Sequence, residues 1–164
     1  ENSGESNNKI RCWGDNTYGQ YGVGNTTSIQ RVKTAYSTTD NTAPTVSTAM
    51  NLAAGVNPEK LYAFNNGHSY CLRSEAKNVY CWGYNSADGV LGSGSTAHIG
   101  DNEGITTAVA TAAKVLELDM GSNHVCSLLL SGEVQCWGNN GHAKLGVSGG
   151  PFLAPSASTL VNLH

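Results

Sequence analysis

The sequence predicts an all-β repeat protein, and three observations carry that prediction. The tripeptide Cys-Trp-Gly occurs three times, at Cys12-Trp13-Gly14, Cys81-Trp82-Gly83 and Cys136-Trp137-Gly138. Each copy runs into a glycine-punctuated stretch, and recurrence over tens of residues marks solenoids, propellers and arrays. Only 13% of the 164 residues are charged, with 20 glycines and many Ser, Thr and Asn, a balance that suits a turn-rich β chain of ordinary domain size. No stretch sustains helical periodicity. Thr106–Leu118 comes nearest, and its Val115-Leu116-Glu117-Leu118 end alternates like a strand.

The first tail reads Trp13-Gly14-Asp15-Asn16-Thr17-Tyr18-Gly19-Gln20-Tyr21-Gly22-Val23-Gly24. The second, Trp82-Gly83-Tyr84-Asn85 through Gly89-Val90-Leu91-Gly92-Ser93-Gly94, carries one inserted residue, and the third is Trp137-Gly138-Asn139-Asn140-Gly141-His142-Ala143-Lys144-Leu145-Gly146. A hairpin signal precedes two copies: Cys71-Leu72-Arg73 with Val79-Tyr80-Cys81, and Cys126-Ser127-Leu128 with Val134-Gln135-Cys136. The second of these turns contains Ser131-Gly132-Glu133, with glycine where a hairpin most easily takes positive φ.

This pattern resembles the repeat of the regulator of chromosome condensation family, roughly an apolar strand, Ala-Gly, His-Thr, a hairpin, then Trp-Gly-x-Asn-x-x-Gly-Gln-Leu-Gly. The resemblance covers most of the chain and implies β-propeller blades, four-stranded sheets around a central channel. The chain departs from the pattern where Val90 and Lys144 stand in place of Gln20, and where Ala143 replaces Gly19. His124 lies two residues before Cys126, as in the family, whereas His68 lies three before Cys71. The Trp13-to-Trp82 interval exceeds the Trp82-to-Trp137 interval, and the surplus is assigned to loops at Tyr36–Pro44 and Gly55–Lys60.

Five cysteines bear on the compartment. Cys71 and Cys81 stand ten residues apart, as do Cys126 and Cys136, each pair bracketing a predicted hairpin turn. Directly opposed residues of antiparallel strands fall within disulfide reach. Cys71–Cys81 and Cys126–Cys136 bridges are therefore expected, implying an extracellular, cell-surface or periplasmic setting. Zinc is the rival reading, with His68 and His124 near the pairs, although Cys-x-x-Cys spacing is missing. Ten residues before Cys12 stands Asn2, so Cys12 is an odd thiol that invites an unseen or intermolecular partner.

The whole chain, 1–164, reads as one repeat domain with parts at about 1–48, 49–112 and 113–158. Thr159–His164 aligns with Lys114–Asp119 and opens a further repeat. Glu1 in place of Met is read as removal of a leader or of a longer upstream region. About three blades fall short of the roughly 4–8 that close a propeller. The expectation is a partial propeller, either a piece of a longer chain or one completed by other copies. In the latter case Leu160–Leu163 would pair with a neighbour's Ile10–Trp13. No apolar run reaches the roughly 18 residues of a membrane helix.

Gly146-Val147-Ser148-Gly149-Gly150 satisfies Gly-x-Ser-x-Gly, but Gly149-Gly150-Pro151 forbids the helix that a nucleophile elbow needs. Ser69, His68 and Asp88 could form a trio only by chance of composition. Gly22-x-Gly24 and Gly92-x-Gly94 lack the helix of a phosphate loop. Asp101-Asn102-Glu103-Gly104 reads as a solvated turn rather than a calcium loop. A net charge of −3 with scattered Lys and Arg disfavours nucleic acid. Neither metal nor cofactor is expected. The three tryptophans are read as packing residues, and His124 as a buried histidine bonded to a neighbouring loop.

The expected function is non-enzymatic: an extracellular or surface binding module of adhesin or fibre-tip type, recognising a protein or surface glycan through its loops. The contact residues chosen are Tyr84, His98, Asp101 and His142, in or beside loops that differ between repeats, including Ser93–Thr107. Three alternatives stay open: a secreted enzyme inhibitor and a GTPase-regulating exchange factor, both implied by the resemblance, and a hydrolase using Ser148.

Overall fold

A computed structural model describes residues 10–28, 49–63, 68–156 and 159–161. Two sheets dominate it. The first has the order β1 (Pro58–Ala63), β2 (Ser69–Ser74), β3 (Val79–Gly83). The second adds a fourth strand: β4 (Val115–Met120), β5 (His124–Leu129), β6 (Val134–Gly138), β7 (Leu160–Val161). All pairings are antiparallel. A 3-10 turn lies at Gly141–Ala143. Lys77 (φ 62°) and Gly132 (φ 90°) supply the left-handed residue of the β2–β3 and β5–β6 hairpins. Glycine does this without strain, as expected at 132, whereas lysine takes it up at some conformational cost.

Alternation decides what each strand buries. Along β2 and β3, Cys71, Val79 and Cys81 face the second sheet and pack with Val115, Leu118, Val125 and Trp137. Leu72, Tyr80 and Trp82 point the other way, into a second cluster with Met50, Ile105, Ile10 and Cys12. The first sheet is thus buried on both faces, which explains why nearly every residue of β2 and β3 is inaccessible. Period-two side-chain direction makes a two-sided core out of one strand pair.

The outer edges of the repeats match. Gly83 exchanges backbone bonds with Ile99, and the Val109 N–H donates to the Val79 carbonyl at 2.8 Å. Gly138 exchanges bonds with Phe152 in the same way, while β7 pairs Leu160 with Gln135 and Val161 with Val134. In the first repeat Met50 N–H donates to Ile10 O at 3.0 Å, and Arg11 bridges Ala49. The first repeat therefore shows the outer half of a sheet. No counterparts of β1 and β2 accompany it among the described residues.

An asparagine folds each tail, buried at Asn16 and Asn85 and half-buried at Asn140. The Asn85 carboxamide receives the Leu91 N–H (3.1 Å) and donates to the carbonyls of Ser95 and Ala97 (2.8 and 3.0 Å). Asn16 does the same for Tyr21, Asn25 and Thr27, and Asn140 for Leu145, Val147 and Gly149. One side chain thereby satisfies three backbone groups of its turn.

Successive repeats interlock through tryptophan. The Trp82 indole donates to Gln20 O at 2.8 Å and the Trp137 indole to Val90 O at 3.1 Å, with both rings fully buried. A Cβ at Gly19 would collide with the backbone of Asp101, and one at Gly89 would lie 2.6 Å from Leu153 Cα, so glycine lets the next repeat's loop close down.

Three sequence expectations differ from the structure. Trp13 is 62% exposed rather than packed, because the described residues bring no preceding repeat against it. The Gly55–Lys60 loop ends at Val56–Asn57, since Pro58–Lys60 already belong to β1, while Tyr36–Pro44 lies outside the described residues. Leu160 and Val161 pair with β6 along one edge. Leu163 lies outside the described residues. The His124 Nδ1, shielded from water, has no hydrogen-bond partner among the described residues because its ring lies against Gly121 instead of a polar loop.

Candidate functional site

Both disulfides form where strand register sets the cysteines opposite one another, Cys71 against Cys81 and Cys126 against Cys136, with Cα separations of 4.0 and 4.1 Å. Each clasps the hairpin whose open end carries loops. The starts of β2 and β5 and the ends of β3 and β6 lie at this same end. It displays His68, Tyr84, His124 and Asn139 on the flanking residues, and the hairpin turns at Lys77 and Gly132 lie at the opposite end.

At the junction of the first and second repeats, this end holds a cluster of four rings. Tyr18 stands edge-on to His68 (5.4 Å between centroids), Tyr84 (5.0 Å) and His98 (5.2 Å), and Tyr84 lies 5.1 Å from His98. Edge-to-face pairs of this kind contribute about 0.5–1.5 kcal/mol each beyond area burial. All four rings are half-buried, so their rims reach solvent.

Hydrogen bonds fix the rings. The Asn85 N–H donates to His98 Nδ1 at 3.0 Å, which leaves the proton of a neutral ring on Nε2. Gln20 receives the Tyr18 N–H (2.7 Å), and its amide nitrogen reaches His68 Nδ1 (3.3 Å) and Asp15 Oδ2 (3.4 Å). The Asp15 carboxyl is held below its ordinary range by hydrogen bonds from Thr17, with Ser28 and Gln20 adding to the effect. The surface therefore offers ring edges, imidazole N–H donors and carboxylates on a fixed frame.

Of the four residues chosen from sequence, Tyr84 and His98 sit in the ring cluster, and Asp101 lies against Gly19, the neighbour of Tyr18. His142 is apart from them, exposed in the 3-10 turn of the third repeat at φ 62°. It holds there the place that Tyr18 holds in the first repeat, preceding Ala143 as Tyr18 precedes Gly19. Sequence reasoning missed Tyr18 and His68 as members of the cluster. The signal for Tyr18 was present: the residue before the turn glycine differs in all three copies, Tyr18, Asp88 and His142.

The catalytic suspects have other duties. Ser69 Oγ is buried and donates to Tyr84 O at 2.7 Å, pinning the loop end, and Ser148 is exposed in an inter-repeat loop. No three His, Cys, Asp or Glu side chains gather to hold a metal ion among the described residues. A cavity of about 340 Å³ under the 93–107 loop is walled by Leu91, Ile99, Ala108 and Val109, with Glu103 as its one charged lining residue. It holds no acid–base pair.

Sheets whose tryptophans lock onto the preceding repeat, with loops gathered at one end, define blades of a β-propeller. Residues 115–143 match the Regulator of chromosome condensation (RCC1) repeat. The chain is 29% identical over 142 residues to the human X-linked retinitis pigmentosa GTPase regulator, an alignment covering 86% of this chain and 12% of that protein. Its fold superposes on human WBSCR16 (TM-score 0.64, 16% identity, 96% of this chain and 35% of that one). It also superposes on Prp20p of Saccharomyces cerevisiae, a structure reported with binding to Gsp1p and histones (TM-score 0.66, 17% identity, 96% and 35%). The repeat match and the shared fold support the RCC1-repeat, β-propeller family. The chain spans about an eighth of the curated relative's length and about a third of each solved chain.

Proposed function

We propose that this chain is a non-catalytic recognition module that binds a protein through the loop end of its blades, presented outside the cell as in an adhesin or fibre tip. The observation that carries the reading is the ring cluster of Tyr18, His68, Tyr84 and His98, held beside the sheet that the Cys71–Cys81 disulfide clasps. Aromatic rims and imidazole donors on a rigid frame give contact area at low entropic cost. The disulfides support an oxidising compartment. No helix is long and apolar enough to cross a membrane among the described residues. Asp101, against Gly19, and His142, in the corresponding turn of the third repeat, are the further contact residues of this reading. A surface glycan would meet the same chemistry, and a secreted enzyme would be blocked by the same loops.

The test is a combined screen of secreted and surface proteins and of glycans, run with the wild-type chain and a Tyr84→Ala/His98→Ala variant. Capture of a protein by wild type and its loss in the variant is the expected result. Retention by both would remove the loop end as the binding surface.

A second reading rests on the identity shared with the human GTPase regulator. A GTPase partner would be met in a reducing compartment, so isolation of the native protein with all four paired cysteines as thiols would favour it.

A further inference from the structure

The ring cluster between the first and second repeats holds its two histidines in one tautomer. His98 Nδ1 accepts the N–H of buried Asn85 at 3.0 Å, so the proton of the neutral ring sits on Nε2. For His68 the argument runs through Gln20. Its Oε1 accepts the Tyr18 N–H at 2.7 Å, which turns the amide nitrogen toward His68 Nδ1 at 3.3 Å. An amide nitrogen only donates, so this Nδ1 also accepts and Nε2 again carries the proton. The Gln20 carbonyl oxygen is itself held by the Trp82 indole at 2.8 Å. Val90 and Lys144 stand in place of Gln20 in the later repeats, and Ser28 Oγ rather than a histidine accepts the Asn16 N–H. The paired arrangement belongs to this junction.

The cluster is therefore rich in donors. Each imidazole presents an Nε2–H, and Tyr18 and Tyr84, packed against His98 and each other, add two hydroxyls. None of these four groups bonds to another described residue, and all four rings are half-buried. The Asp15 carboxylate is already engaged by Thr17, Ser28 and Gln20, at 2.6, 3.3 and 3.4 Å. The ion pairs of the described residues lie elsewhere, at Lys60–Glu117 and around Glu59.

We propose that the cluster receives a carboxylate of the partner protein, an aspartate or glutamate side chain, on the His98 Nε2–H. His68 Nε2–H and the two tyrosine hydroxyls are the further donors of the same surface. This rests on the loop end being the binding surface and adds the chemistry that the surface selects. Donors in surplus call for a group that only accepts, and a carboxylate offers two oxygens with about four lone-pair sites. Hydrogen bonds to an ionised acceptor are roughly twice as strong as those to a neutral one. Rings packed edge-on and pinned at Nδ1 are preorganised, which spares the entropy of ordering them on binding. Neutral imidazoles rather than cations make the contact, and Asp15 repels a second carboxylate, so added salt does not weaken it.

The experiment uses the 164-residue chain and two tripeptides with blocked ends, Glu-Gly-Glu and Gln-Gly-Gln. Long-range proton–nitrogen spectra at about pH 8, above the ordinary histidine range, should show both rings protonated at Nε2 and bare at Nδ1. The Glu peptide should shift the His98 Nε2 resonance saturably, with a dissociation constant at least about tenfold below that of the Gln peptide, the ratio that about 1.4 kcal/mol gives. The preference should survive a rise in sodium chloride from about 0.05 to about 0.5 M, over which the Debye length shrinks about threefold. His98→Phe, which keeps a ring beside Tyr18 and Tyr84, should remove it. A His98 proton on Nδ1, no saturable shift with the Glu peptide, equal affinity for the two peptides, or a preference that survives His98→Phe or vanishes at high salt would overturn the proposal. Any of these leaves the loop-end reading standing while Tyr84→Ala/His98→Ala still loses the captured protein, and retention by that variant removes both.

Discussion

The Trp82 indole N–H donates to the carbonyl oxygen of Gln20 at 2.8 Å, sixty-two residues away in sequence, and Trp137 repeats the bond to Val90. The tryptophan of one repeat is thus the lid on the glycine turn of the one before. Gly92 sits under the Trp137 ring, where a Cβ would approach Nε1 to 2.7 Å. The Cys-Trp-Gly tripeptide unites both roles, since its cysteine joins its own sheet while its tryptophan joins the previous repeat.

Loss of that lid should be costly at two positions and nearly silent at the third. Trp82→Ala and Trp137→Ala should each destabilise by about 3–5 kcal/mol in urea unfolding, the range for emptying a buried aromatic site. Trp137→Phe, which keeps much of the packing but leaves Val90 O unpaired, should cost less, about 1–3 kcal/mol. Trp13→Ala should stay within about 0.5 kcal/mol of wild type, as surface changes do.

The asparagine of each tail gives a graded series. Asn85→Ala strands the N–H of buried Leu91 and releases the carbonyls of exposed Ser95 and Ala97, and should cost about 1–3 kcal/mol by the penalty for an unsatisfied buried donor. Asn140→Ala, at a half-buried site, should cost less because water reaches the groups it releases. Chemical denaturation of both variants under identical conditions provides the comparison.

Much of this was legible in the sequence. The ten-residue cysteine spacing gave both disulfides because a hairpin places such residues opposite each other, and Gly132 takes the positive φ expected of its turn. Trp13 misled because the tripeptide is identical in all three copies; exposure depends on what stands in front of the repeat, which no local pattern encodes. Tyr18 escaped notice for the converse reason. It comes from one repeat, and the rings it touches from the next, so the cluster is a product of how repeats stack. Pro58–Lys60 of β1 fell within the loop assigned to absorb the longer Trp13-to-Trp82 interval, but proline at the first position of an edge strand removes no ladder bond.

Removing the clasps should weaken the fold without erasing it. Cys71→Ser/Cys81→Ser is expected to lose about 2–3 kcal/mol on the chain-entropy account of a short loop. A non-reduced digest should contain the 71–81 and 126–136 crosslinked peptides, and finding four free thiols in protein purified from its native setting would remove the oxidising compartment.

Acid should loosen the third repeat. Burial holds His124 below its ordinary value, Lys144 adds to this, and Asp119 opposes it. The unfolded chain then binds the proton more readily than the folded one, so the contribution is present above the ordinary histidine pKa of about 6.5 and is lost as pH falls through the folded value. His124→Gln should flatten the unfolding midpoint between about pH 7 and 5, the span in which histidine titrates. A wild-type profile that rises on acidification over that span would reverse the sign and defeat this account of His124.

The central claim is that the loop end is the binding surface, and the most direct measurement is the affinity of the captured ligand for three purified proteins. These are the wild type, Tyr84→Ala/His98→Ala at the loop end, and Leu130→Ala beside the hairpin turn at the opposite end, where the leucine is exposed. Calorimetric titration should show a loss of about tenfold or more for the first variant, the effect of removing a contact worth at least about 1.4 kcal/mol. The Leu130→Ala protein should bind as wild type does, with all three giving the same far-ultraviolet circular dichroism. Undiminished binding by a folded Tyr84→Ala/His98→Ala protein, together with loss in Leu130→Ala, would place recognition at the other end of the blades and contradict the account.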